Sequence, residues 1–201
     1  MRSLRERLYP LFAPPDAAPQ VLYGARVTLR PYAVGFSEAE LQLLYAWGCD
    51  PDLAQLAGGS TLDVTFARFR ELFGQQLAGH NSADEQLFGV LDQHGRLIGR
   101  AGLFALTSLG RSAELGVVIG DRACWGRGYG RDVAQTLVRF GFDVLGVRRI
   151  YLYTFRDNVR AQRAFAAAGF RPVRRLDRFS LQQGTHGEVE MEIRLGRELQ
   201  K

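Results

Sequence analysis

Between positions 126 and 130 glycine takes every second place, in the run Ile119-Gly120-Asp121-Arg122-Ala123-Cys124-Trp125-Gly126-Arg127-Gly128-Tyr129-Gly130. An apolar, β-type run at 113–119 precedes this loop. An amphipathic stretch at 128–146 follows it, with Val133, Leu137, Phe140 and Val144 on one stripe. Glycine lets successive backbone N–H groups turn into one concavity, and a following helix adds its positive end. Strand, glycine loop and helix in that order predict a cradle for a pyrophosphate-like anion. A plain tight strand–helix turn would use the same glycines. The spacing Gly-x4-Gly-Lys-Ser/Thr of a triphosphate loop is absent, and the dinucleotide type needs a parallel strand pair and a ribose acid.

The remaining elements follow from periodicity and caps. Val27 and Leu29 alternate with Arg26, Thr28 and Arg30 until Pro31, as in a first or edge strand. Ser37 and Glu40 form a capping box ahead of a helix ending near Gly48. Asp50-Pro51 starts a short helical turn, and Asp63 is expected to cap a helix bearing Phe66, Phe69 and Phe73. Strands are expected at 87–91 and 97–106, joined by a turn at 92–95, and at 113–119 after a Leu109-Gly110 turn. The run 149–155 has the texture of a central strand buried on both faces. A helix at 157–168 ended by Gly169, a strand from 170 and a last strand at 188–195 complete a mixed α/β order.

The chain has 201 residues and a net charge of +5, in which Lys201 is the only lysine. Its length suits one domain at 21–201. A Pro-rich arm at 1–20, with a short helix at 3–8, precedes it. No apolar stretch approaches a membrane span or a signal-peptide core, and two cysteines make neither a disulfide framework nor a zinc site, so a cytoplasmic location and no metal are expected. Residues 148–178 hold nine arginines against Asp157 and Asp177, a net +7. That window fits a nucleic acid, the phosphates of a nucleotide cofactor, or a solvated face. No aromatic-basic motif accompanies it, which argues against direct nucleic-acid binding.

Two motifs together resemble the GNAT acetyltransferase superfamily. Gly128-Tyr129-Gly130 match the end of its Gln/Arg-x-x-Gly-x-Gly/Ala acyl-CoA motif, with Trp125 in the first place. Asn158, Ala161, Phe165 and Gly169-Phe170 match its Asn-x-x-Ala-x-x-x-Tyr-x-x-x-Gly-Phe signature. Val27 to Pro31 resembles the opening strand of the ribosomal-protein N-acetyltransferase branch, and the likeness spans about 25–195. It implies a mostly antiparallel central sheet flanked by helices, splayed between the fourth strand (113–119) and the fifth (149–155). Acetyl-CoA would lie in that gap. Val117, Val118 and Ile119 would pair with its pantetheine amides. Residues Arg127, Gly128, Tyr129, Gly130 and Arg131 would hold the pyrophosphate. Asn158 would contact the pantetheine arm or cap its helix, and Arg163 would reach the 3′-phosphate or stay solvated.

The resemblance also implies attack of a neutral amine on a thioester. A lysine-type amine of pKa ~10.4 pays ~4.6 kcal/mol to be neutral at pH 7, and an α-amine about 1 kcal/mol. Glu114 is the expected base. Phe165 stands where many relatives carry a tyrosine that protonates the thiolate, and phenylalanine has no proton to give. Tyr153 or a water would have to substitute, while Phe165 packs on the cofactor. The acceptor implied is a protein N-terminal α-amine or a small amine. An aminoglycoside or polyamine is the alternative, with Asp50 and Asp52 lining its pocket. A non-catalytic acyl-CoA sensor is a further alternative. Monomer and homodimer remain open.

Overall fold

The computed structural model describes residues 20–79, 85–107, 111–180 and 184–196. The 3–8 helix, most of the arm and the Leu109-Gly110 turn fall outside them. Eight strands form one sheet in the order β1-β2-β3-β4-β5-β6-β8-β7. They are β1 (Leu22–Tyr23), β2 (Thr28–Pro31), β3 (Gln86–Leu91), β4 (Leu97–Thr107), β5 (Ser112–Ile119), β6 (Arg149–Phe155), β7 (Arg171–Ser180) and β8 (Gly184–Arg194). The described helices are α1 (Glu38–Cys49), α2 (Pro51–Leu56), α3 (Phe66–Gly79), α4 (Tyr129–Asp143) and α5 (Val159–Ala167). Every pairing is antiparallel except that of β5 with β6. The expected mostly antiparallel α/β architecture is therefore observed, with β1 as an added short strand.

Ser37 and Glu40 close their capping box on α1. At α3 the expected cap is corrected. Thr65, next to the helix, accepts from the Arg68 amide at 3.3 Å, and Asp63 lies too far upstream to do so. Gly146, read as the end of the glycine-loop helix, lies three residues past α4, which stops at Asp143. The stripe of α4 buries Val133, Leu137 and Phe140 against Leu29, Ile98, Leu103 and Leu115 of the sheet. Val144, expected on that stripe, is exposed just beyond the helix. A separate aromatic cluster of Tyr32, Phe36, Phe69 and Phe73 joins α1 and α3 to β3 and β4.

One buried acid ties the N-terminal strand to α4. Asp132 accepts from the backbone N–H of Ala25 (3.1 Å), Arg26 (2.7 Å) and Val27 (3.1 Å). Asp132→Ala strands three amides and is expected to cost about 3 kcal/mol. That is roughly a 6–12 °C fall in Tm for a chain of this size. An unchanged melting curve would contradict this account.

Strand β6 is not buried on both faces. Ile150, Leu152 and Thr154 are buried, while Arg149, Tyr151 and Tyr153 alternate with them half-buried. Directly opposite on β8 stand Glu192 and Glu190, buried at 3% and 5% exposure. Arg149 donates to both, at 2.7 and 2.6 Å. Arg174 pairs with Glu190, Arg171 and Arg194 with Glu192, and Arg156 with Asp177. Much of the basic window is thus neutralised by acids from β8. The Arg194 guanidinium, and after it Arg149, hold the Glu192 carboxyl down at about 2 against the opposing effect of burial. Its folded value lies below the unfolded one of about 4.3. The stabilisation is therefore complete above about pH 4.3 and lost as pH falls through 2. Denaturant midpoints measured from pH 5 to 2 should drop, and Glu192→Gln should flatten the slope.

Candidate active site

Strands β5 and β6 pair only through Ser112, Ala113 and Glu114, opposite Arg149, Ile150 and Tyr151. Beyond Glu114 they part. β5 stays in register with β4 as far as Gly99 opposite Ile119, and β6 stays with β8. The β5 edge from 115 to 119 therefore has no strand beside it.

A cavity of ≈ 580 Å³ opens in this fork. Val117, Val118 and Ile119 line one side, Asn158, Ala161 and Phe165 of the α5 region another. The glycine loop closes one end: Gly126 and Gly128 have φ of +72° and +85°, in the left-handed region. A Cβ on Gly126, Gly128 or Gly130 would meet nothing within 4 Å, so the loop faces open space. Gly128 is the N-cap of α4 and supplies no side-chain cap. The first-turn amides are thus without an intrahelical acceptor and can bind an anion. Gly120 has another task. A Cβ there would enter the Trp47 ring, which packs flat on this backbone.

Gly128, Tyr129, Gly130 and Arg131 all line the cavity, together with Arg163. Arg127 does not. It is exposed and outside the wall, and its carbonyl accepts from Arg26 at 3.4 Å. The Ile119 carbonyl, expected to face pantetheine, is already taken by the Trp125 indole N–H at 2.7 Å. Asn158 caps α5 by accepting from the Ala161 amide at 3.1 Å and lines the cavity as well.

A second cavity of ≈ 310 Å³ shares Val117, Val118, Asn158 and Phe165 with the first. Glu114, Tyr153 and Glu188 line it. Glu114 is half-buried at the vertex of the fork. Burial, and then its negative charge, push the Tyr151 phenol upward. Glu188 accepts from His186 at 3.2 Å when the imidazole presents Nε2–H. Asp50 and Asp52 form neither wall. Both carboxylates bind Arg122 at 2.8–2.9 Å, which corrects their expected role in an acceptor pocket. The same helical segment contributes apolar Leu53, Leu56 and Ala57 instead.

Phe165 is buried, sits edge-on to Phe170 with centroids 6.0 Å apart, and borders both cavities. Phe165→Ala should cost ~3–5 kcal/mol of stability, read by denaturant melts. Phe165→Tyr should leave turnover similar. A Phe165→Ala variant that loses turnover with unchanged melting and CoA binding would remove the packing role.

Sequence reading did not place Glu188 or the α2 wall at the site. The alternation Glu188, Glu190, Glu192 was visible, but only the register shows that the first ends at the cavity while the others meet arginines.

The sheet thus splays between β5 and β6, with the glycine loop at one cavity and Glu114 and Glu188 at the adjoining one. The profile of the Acetyltransferase (GNAT) domain matches residues 26–171, and the chain belongs to that family, whose co-substrate is acetyl-CoA. The spermidine N(1)-acetyltransferase of Vibrio cholerae is 28% identical over 106 residues, 53% of this chain. The matched stretch spans 59% of that relative's length. Among solved structures, a Vibrio cholerae spermidine N-acetyltransferase in complex with CoA and spermine superposes with TM-score 0.71 at 22% identity, covering 84% of this chain and 95% of its own. A GNAT-family acetyltransferase from Bacillus anthracis gives 0.71 at 16% identity, over 87% and 98%. These relatives do not single out the ribosomal-protein branch.

Proposed function

We propose that the chain is an acetyl-CoA-dependent N-acetyltransferase whose acceptor is a small cationic amine of the polyamine class. The observation that carries this is the union of the two cavities: one is lined by the glycine loop and the first turn of α4, the other by Glu114 and Glu188. A polycation is drawn to carboxylates in a partly desolvated cleft. The likeness to spermidine acetyltransferases supports the polyamine over the protein N-terminus that sequence alone favoured.

In this reading the thioester carbonyl lies against the free β5 edge, where a backbone N–H near Val118 polarises it. Glu114 takes the proton from the ammonium, directly or through a water. The amine nitrogen bonds to the carbonyl carbon, the C–S bond breaks, and the thiolate leaves. In this reading Tyr153, which lines the same cavity as Glu114, protonates the thiolate and regains the second proton that the nitrogen sheds on becoming an amide. Phe165 forms the apolar floor.

The test is acetyl-CoA turnover against spermidine, spermine, an aminoglycoside and N-terminal peptides, followed by free thiol and product mass. Acetylated polyamine is expected. Acetylation of peptides alone would overturn the acceptor. No turnover with any amine, despite CoA binding, would make the chain a sensor, the reading that phenylalanine at 165 motivates.

A further inference from the structure

Val117 and Val118 of β5, Phe165 of α5, and Leu56 and Ala57 at the end of α2 border both cavities. A donor in the larger cavity and an acceptor in the smaller one meet at this neck, so the group passed between them lies against these walls. The walls are not equally fixed. Val117 and Val118 belong to a strand held in register with β4, and Phe165 is buried edge-on to Phe170. Leu56 is half-buried and comes from an excursion of the chain, residues 48–62.

That excursion leaves and returns at one point, as in an Ω-loop. The Leu62 amide donates to the Gly48 carbonyl at 2.8 Å, and the Leu62 side chain fills the space that a Cβ on Gly48 would need. Inside the excursion Asp50 caps α2, accepting from the Asp52 and Leu53 amides at 3.0 and 3.1 Å, and Pro51 takes the first turn. The same Asp50 carboxylate, with that of Asp52, binds Arg122 at 2.8–2.9 Å. Arg122 stands on a 3-10 turn, Arg122–Cys124, between β5 and the glycine loop. One guanidinium therefore ties the α2 wall to the segment that continues the β5 wall. A helix of six residues has little stability of its own, so the place of Leu56 depends on the pinched base and this clasp.

We propose that Leu56 limits the size of the acyl group that the site transfers, and that Arg122, through Asp50 and Asp52, is the positioning residue that keeps Leu56 there. This rests on the acyl-CoA reading of the two cavities. The experiment compares kcat/KM for acetyl-CoA and butyryl-CoA in the wild type, Leu56→Ala, Leu56→Met, Arg122→Gln and Arg122→Lys. The acceptor is the most readily acetylated of spermidine, spermine, aminoglycoside and peptide. One methylene too many for a closed apolar pocket costs ~10–200-fold, so the wild type should prefer acetyl-CoA by about 100-fold or more. Leu56→Ala should reduce that preference ~10-fold or more by raising the butyryl rate. Leu56→Met, which conserves volume, should keep it. Arg122→Gln should reduce it ~2–5-fold, the scale of a half-exposed ion pair, and Arg122→Lys should restore part of it. Free CoA, which carries no acyl group, should bind all five proteins alike, and their melting curves should coincide. A wild type indifferent to acyl length, or an unchanged preference in a folded Leu56→Ala, overturns the size limit. An Arg122→Gln that loses rate equally with both donors, or loses none, overturns the clasp. A wild type that binds CoA but transfers neither acyl group to any amine would instead sink the proposed function, and leave no transfer for Leu56 to limit.

Discussion

Gly130→Phe is expected to weaken CoA binding by about 100-fold or more while the protein stays folded. Position 130 lies in the first turn of α4 and lines the larger cavity, and a Cβ there meets nothing within 4 Å. The new ring therefore needs no rearrangement of the protein. It occupies the space that the cradle leaves for a phosphate. Gly130 is not among the glycines with positive φ, so the backbone accepts a side chain. Phenylalanine is the better helix former of the two by a few tenths of a kcal/mol, so folding is not impaired on that account. Loss of two charge-assisted hydrogen bonds, at ~1.5–3 kcal/mol each, gives the expected factor. Calorimetry with CoA and a thermal melt decide it together: unchanged affinity in a folded variant would mean that the anion cradle lies elsewhere. Gly128 is the poorer test, because φ of +85° strains any side chain and confuses folding with binding.

Glu114→Gln is expected to lower kcat ~10²–10⁴-fold with little change in CoA affinity. Glutamine keeps the shape and hydrogen-bonding reach of the side chain and removes only its basicity. The demand for a base is larger for a polyamine than for an N-terminal amine. A primary ammonium of pKa ~10.4 must lose about 3.4 units to be neutral at pH 7, against about one unit for an α-amine. Carboxylates that attract the cation, Glu188 among them, stabilise its protonated form and raise that barrier further. Glu114 sits at the last paired residue of the fork, where β5 turns from strand partner to cavity wall. Because its charge helps to raise the Tyr151 phenol, the variant should also move the Tyr151 titration towards its ordinary value. That shift shows that the charge has been removed in place. Wild-type turnover accompanied by the shift would exclude Glu114 as the base.

What the sequence by itself determined is local. The Ser37–Glu40 box, the Asn158 cap, the glycine loop between a β run and an amphipathic stripe, and the tight turn at 92–95 all depend on residues two to four places apart. The caps, the turn and the loop hold as read, although α4 stops short of Gly146. Their interactions close within one turn of chain, so the pattern contains the geometry. That Val117, Val118, Gly128, Tyr129 and Gly130 meet at one cavity was legible for the same reason, since one strand–loop–helix unit carries them all.

Tertiary structure decided everything that register and crossing bring together. Asp132, in the first turn of α4, holds amides more than a hundred residues away. Asp50 and Asp52 read as acceptor ligands, but Arg122, 70–72 residues on, claims both. The basic window fits a polyanion or a solvated face alike until β8 aligns Glu190 and Glu192 beside it. Strand β6 reads as buried on both faces because tyrosine passes for core, and its Tyr151–Tyr153 face is only half-covered. In each case a charge or a ring has many possible partners along the chain. The sheet order selects one of them, and a one-residue slip in register would place every such side chain on the other face.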